Sequence, residues 1–157
     1  MPDLPKIRRS SCSVLDNLGK RLTKAPKVYI RDSGVVHALL ELETLHDLAG
    51  HPVAGPSFEG MVVENLIAVA GERRVAYFFR TQDGAEIDLV FAMGGVPGIA
   101  VEIKRASAPT LEKGFTIACE DLGIRRRYVV YPGRERFPIR HGAEAISLLE
   151  LMELLRQ

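Results

Sequence analysis

The stretch "GAEIDLVFAMGGVPGIAVEIKR", residues 84–105, decides the fold. Two apolar runs, 85–93 and 99–105, flank the glycine-rich turn "GGVPG", and each carries charge at alternate positions. Side chains of a strand alternate between faces, so Glu86 and Asp88 share one face of the first run. Glu102 and Lys104 share one face of the second, while Ile87, Leu89, Val101 and Ile103 are expected to point into a core. If the runs pair, the acids converge, and clustered carboxylates repel unless a cation neutralises them. Hard divalent ions prefer such oxygen ligands. A lysine beside them orients a water or stabilises charge on a phosphate. That is the chemistry of metal-assisted phosphodiester hydrolysis. The plain alternative is a solvated sheet face with cross-strand Glu–Lys pairs, and the spacing alone favours it.

Working outward, "VAYFFRT" (75–81) is a strand signal, and "QDG" (82–84) is a tight-turn signature leading back into the next strand. Downstream, "TLEKGFTIACEDLG" (110–123) reads as a helix and "RYVVYP" (127–132) as a buried strand. "RFPIRHG" reads as an edge strand, and "AEAISLLELMELLRQ" as an amphipathic terminal helix with Ile146, Leu149, Met152 and Glu153 near one stripe. Upstream, "KVYIRD" (27–32) is a short buried strand, with Asp32 and Ser33 in a cap and turn. "SGVVHALLELETLHDLAG" has helical spacing of Val36, Leu39, Leu40 and Leu42 and ends at Gly50. A second helix over about 57–71 presents Phe58, Val62, Leu66, Val69 and Ala70 and stops at Gly71. The order of helix, three strands, helix, strand, helix defines an α/β domain on a mixed sheet.

The chain has 157 residues, about half of them apolar, which suits one domain with a packed core. A net charge of +1 argues against a surface that is basic throughout, although it leaves room for a local patch. Such a patch is offered by "KRLTKAPKVYIR", where Lys20, Arg21, Lys24, Lys27 and Arg31 occur without an acid. It reads as a phosphate-contacting surface, or equally as a solvated edge or interdomain contact. The two cysteines, Cys12 and Cys119, belong to no CxxC or Cys/His cluster and read as reduced thiols. His37, His46, His51 and His141 lack metal-ligand spacing. No apolar run approaches membrane-spanning length and no signal peptide is evident, so a cytoplasmic protein is expected.

"GAEIDLVF" followed by "AVEIK" resembles the motifs of the PD-(D/E)xK nuclease-like superfamily. More narrowly, "NLGKRLTKAPKVYIRDSGVVHALL", "HPVAGPSFEGMVVENLI", "YFFRTQDGAEIDLVF", "VEIKRASAPTLEKGF" and "VVYPG" resemble the DUF4143 family over residues 17–133. The resemblance implies a single domain over 1–157 with a restriction-endonuclease-like core over 55–133. Residues 1–30 would then be a remnant or arm of a preceding segment. Members of that family usually follow an AAA-type P-loop ATPase domain, and this chain has no GxxxxGK[ST]. The ATPase is therefore expected either to be lost by truncation or to be a separate partner chain.

Carried over residue by residue, the resemblance makes Asp88 and Glu102 the acidic ligands of Mg²⁺ or Mn²⁺, and Lys104 the catalytic lysine. The Ile103 carbonyl would be a further metal ligand. The core's first helix would add one acid, for which Glu59 and Glu64 compete. Five residues apart, they lie about 140° from each other around a helix, and the reading leans to Glu64. Glu86 and Arg80 match the pattern as supporting residues. Two functions follow as expectations. One is metal-dependent hydrolysis of DNA or RNA. The other is a catalytically inactive module that binds nucleic acid or regulates a partner ATPase.

Overall fold

The computed structural model describes residues 12–15 and 27–157, and places the hairpin strands of the sequence at the centre of a mixed sheet. In chain order the elements are β1 (Cys12–Leu15), β2 (Lys27–Ile30), α1 (Ser33–Leu39), α2 (Leu45–Gly50), α3 (Ala54–Ala70), β3 (Arg74–Arg80) and β4 (Glu86–Met93). They continue with β5 (Val96–Ile103), α4 (Lys113–Asp121), β6 (Arg126–Val130), β7 (Phe137–Ile139), β8 (Ala143–Ile146) and α5 (Leu148–Arg156). The six-stranded sheet has the order β3-β4-β5-β6-β8-β7, with β5, β6 and β8 parallel and the other neighbours antiparallel. A separate antiparallel ribbon joins β1 and β2.

Both faces of the sheet are covered, which is why its central strands are apolar on both sides. On one face α3 and α5 bury Val62, Val63, Leu66, Leu151 and Leu155 against Phe78, Leu89, Phe91, Val101 and Val130. On the other, α4 buries Phe115, Ala118 and Cys119 against Tyr77, Phe79, Ile87, Val90 and Ala100. Burial pushes the Cys119 thiol up to about 12, so it is a packing group rather than a nucleophile.

Four local expectations are corrected. The "GGVPG" turn shrinks to Gly94 and Gly95, both at positive φ (59° and 81°), and Val96, Pro97 and Gly98 already belong to β5. The 33–50 helix breaks in two: Glu41 adopts a left-handed φ of 55°, and Thr44 starts α2 with a reciprocal capping box to Asp47. The first half of the presumed terminal helix is β8. Ala, Glu and Leu are good helix formers, but Ala145 and Ile146 fill a slot between β6 and β7 where neither has any exposure. Ser147 then caps α5 by accepting from the Glu150 N–H, and Leu151 and Leu155 are its buried residues, leaving Leu149 exposed. Finally, β2 is buried only at Tyr29, because Val28 and Ile30 turn outward.

The start of α4 lies against the β3–β4 turn. A Cβ on Gly114 would sit 2.8 Å from the Gly84 carbonyl oxygen and 3.3 Å from Ala85 Cα, both backbone atoms that cannot swing aside. Gly114→Ala is expected to destabilise the protein by about 1–3 kcal/mol through this overpacking. Gly55→Ala, at a helical position where a Cβ meets nothing within 4 Å, should leave stability unchanged or raised. Urea denaturation of the two variants checks the pair.

Candidate functional site

An extra residue in β4 builds the site. Tyr77 pairs with Val90 and Phe79 with Ile87, so two steps along β3 face three along β4. This bulge resets the alternation between Asp88 and Leu89. Ile87 packs on the α4 face as alternation demands, whereas Leu89, expected beside it, packs on the α3 face. The β4–β5 ladder accordingly ends at Leu89 and Val101. Beyond it the Asp88 side chain takes over the backbone's role: Oδ2 accepts a hydrogen bond from the Ile103 N–H at 3.0 Å. Asp88 and Glu102 are thereby brought to the same cleft of about 270 Å³, which Lys27, Glu59, Glu86, Ile103, Lys104 and Glu112 also line.

The centre of the acidic group holds a cation that belongs to the chain itself. Lys27 Nζ lies 2.8 Å from Glu86 Oε1, 3.0 Å from Asp88 Oδ1 and 3.2 Å from Glu59 Oε1. Tyr29, two residues on and on the same face of β2, donates its hydroxyl to Glu59 Oε1 at 2.5 Å. Burial works against the Lys27 ammonium, but the charge of Asp88, the Tyr29 hydroxyl beside it, the Glu86 hydrogen bond and the charge of Glu59 outweigh it and hold its pKa above the usual lysine value. Among the described residues, no three His, Cys, Asp or Glu side chains are gathered so as to hold a metal ion on their own.

Glu102 is placed differently. It is 8% exposed; Oε1 lies 3.0 Å from Lys104 Nζ, and Oε2 is buried with no hydrogen-bond partner among the described residues. Burial, and after it the charge of Asp88, pushes its carboxyl up to about 8 against the opposing pull of Lys104. A full ion pair with Lys104 forms only once that proton is lost. Asp88 is raised as well, by burial first and by Glu59, with Lys27 and the Ile103 N–H pulling the other way. Lys104 is anchored on its far side by Glu112 at 3.2 Å. An orphaned buried carboxylate oxygen beside a second carboxylate fits a hard divalent ion, since Mg²⁺ commonly takes one or two carboxylates and completes its shell with water and phosphate oxygens.

The remaining sequence candidates separate cleanly. On α3 it is Glu59, not Glu64, that faces the cleft, which reverses the expectation. β2 runs along this helix, so Lys27 and Tyr29 meet Glu59, while Arg31 draws Glu64 away at 3.0 Å. Arg80 pairs with Glu86 at 3.6 Å. Of the five basic candidates for phosphate contact, Lys27 and Arg31 are engaged with carboxylates within the domain. Lys20, Arg21 and Lys24 lie outside the described residues. The Lys27 position was legible only as one more base in a basic run, because its partners are 32 to 61 residues away.

The fold and the cleft thus define an α/β domain with an acidic-and-lysine site at the ends of its central strands. The chain belongs to the family described as "Domain of unknown function (DUF4143)", whose model matches residues 54–151. It is similar to the uncharacterized protein Rv2008c of Mycobacterium tuberculosis and the uncharacterized protein Mb2031c of Mycobacterium bovis. Each is 38% identical over 149 residues, covering 89% of this chain and 33% of the relative. The chain therefore spans about a third of the length of these curated relatives. No solved structure matches it. Among the described residues no helix is long and apolar enough to cross a membrane.

The raised Glu102 carboxyl has a signed consequence for stability. Its folded value of about 8 exceeds its ordinary 4.5, so the contribution is complete below the ordinary value and is lost as pH rises through about 8. Asp88, raised too, adds a slope of the same sign, and Lys27 and Lys104 stay charged across this window. Melting temperature measured with a chelator present should fall between about pH 5 and about pH 9. Glu102→Gln should flatten that decline.

Proposed function

We propose that the cleft is a metal-dependent phosphodiesterase site of nuclease type, acting on DNA or RNA, with Asp88 and Glu102 as acidic ligands and Lys104 as the catalytic lysine. The observation that carries this reading is the pairing of Asp88, bent to the cleft by the bulge, with the orphaned Glu102 Oε2 beside Lys104. The succession α3, β3, β4, β5, α4, β6 also has the helix, three strands, helix, strand order of a restriction-endonuclease-like core.

Bound Mg²⁺ or Mn²⁺ would supply Lewis-acid polarisation of the phosphoryl oxygen and a more acidic water. The chain's own residues do the rest. Asp88 is oriented by the Ile103 N–H, so Oδ2 is fixed and Oδ1 faces the Lys27 ammonium. Glu102 must give up its proton to act as a ligand, and its burial keeps bulk water from competing for it. Lys104, held between Glu102 and Glu112, presents an ammonium where it can steady the attacking water or the phosphoryl charge. Water's oxygen adds to phosphorus, the ester oxygen departs with a proton, and two chain ends result.

A second reading is favoured by the Lys27 contacts. An ammonium that already satisfies Glu59, Glu86 and Asp88 lets the same fold serve as a non-catalytic module, binding nucleic acid or regulating a P-loop ATPase partner. Cleavage of end-labelled single- and double-stranded DNA and RNA in MgCl₂ or MnCl₂ decides between them. The nuclease reading expects ion-dependent cleavage that Asp88→Asn or Lys104→Ala lowers by at least about a hundredfold. Ion binding without cleavage of any substrate would leave the non-catalytic reading.

A further inference from the structure

We propose that Lys27 is a built-in competitor of the divalent cation, so that the β1–β2 ribbon sets how readily the cleft takes up its metal. The inference rests on the reading of this cleft as a cation site, and goes beyond it in assigning a role to a residue outside the acid-and-lysine motif.

Lys27 and a divalent ion would draw on the same carboxylate, Asp88. Asp88 has two oxygens, and Oδ2 is committed to the Ile103 N–H. Oδ1 is the oxygen at which an incoming cation would meet Lys27, whose Nζ is already 3.0 Å from it. The three protons of an ammonium match the three carboxylates around it, so Lys27 has no donor left over. Its side chain is also enclosed, being 21% exposed, with the Phe78 ring centroid 5.9 Å from Nζ. A divalent ion held by Asp88 and Glu102 would share the cleft with the Lys27 charge in a partly buried place, where screening is weak. The independent sign that the cleft still wants a cation is Glu102, more than nine-tenths buried, with Oε2 unpartnered among the described residues. Lys27 satisfies Glu59, Glu86 and Asp88, Lys104 meets Glu102 Oε1, and Glu102 Oε2 is left without a partner among the described residues.

β2 carries Lys27 and Tyr29 on the face that meets α3, and Tyr29 also binds Glu59. Displacing the ammonium therefore loosens the strand's hold on the helix, and ion entry and ribbon release are one equilibrium. A ligand or neighbouring segment that pulls on the ribbon would raise metal affinity through the same linkage.

Calorimetric titration of MnCl₂ into the full 157-residue chain tests this against Lys27→Met, Lys27→Arg and Asp88→Asn. Lys27→Met should bind Mn²⁺ at least about tenfold tighter than wild type, Lys27→Arg should resemble wild type, and Asp88→Asn should lose the site. Equal or weaker binding by Lys27→Met, with Asp88→Asn still abolishing it, would overturn the competition while leaving the cation site standing. Failure of both wild type and Lys27→Met to bind Mn²⁺ would sink the cation reading itself. Hydrogen exchange on wild type covers the case in which Lys27→Met does not fold. Saturating Mn²⁺ should speed exchange at the amides of residues 27–30, and unchanged or slower exchange there counts against the proposal.

Discussion

Carboxylates turned toward one point are stable only with a positive charge among them, and in this domain Lys27 supplies it. Unit charges about 4 Å apart attract by roughly 4 kcal/mol near a protein surface, whereas a fully solvated pair gains at most about 1 kcal/mol. Lys27 and Asp88 lie toward the first limit, since their side chains are 21% and 13% exposed. The contact therefore does more than decorate a surface. It fastens the β1–β2 ribbon to the end of the central sheet, and Tyr29 reinforces the join by donating to Glu59 and packing beside Gly60, where an added Cβ would stand 3.5 Å from its ring.

The bulge in β4 is the second constraint. A regular ladder would carry on past Leu89 and Val101 and leave the Ile103 N–H to backbone pairing. Instead Asp88 satisfies that donor with its side chain, which both ends the ladder and aims the carboxylate. Buried polar groups must find partners, and here the need of one amide fixes the direction of an acid lining the cleft. Of the buried side-chain oxygens lacking a partner among the described residues, on Glu64, Glu102 and Thr116, the one on Glu102 belongs to a residue lining the cleft, next to a lysine.

Glu86, Asp88, Glu102 and Lys104 were legible as a set because strand alternation and the intervening turn are local properties. So were the hairpin strands, the stop at Gly71, and the cap at Asp32, whose side chain accepts from the Gly34 N–H. Ala143–Ile146 misled because helix propensity and sheet membership conflict there, and the open slot beside β6 prevailed. Leu149 misled in turn, because moving the helix start to Ser147 rotated the buried stripe onto Leu151 and Leu155. Glu59 and Glu64 could not be separated, as both lie on one helix and only the position of β2 says which faces the cleft.

The sequence by itself determined the α/β class, the order of the central elements and the four charged residues on β4 and at the end of β5. All of these follow from side-chain period and turn chemistry within a few residues. Only the tertiary structure decided that Lys27 sits among Glu59, Glu86 and Asp88, that Glu102 keeps one oxygen buried without a partner among the described residues, and that Asp88 caps Ile103. Charge burial and charge pairing depend on distances between segments far apart in the chain. No local pattern encodes them.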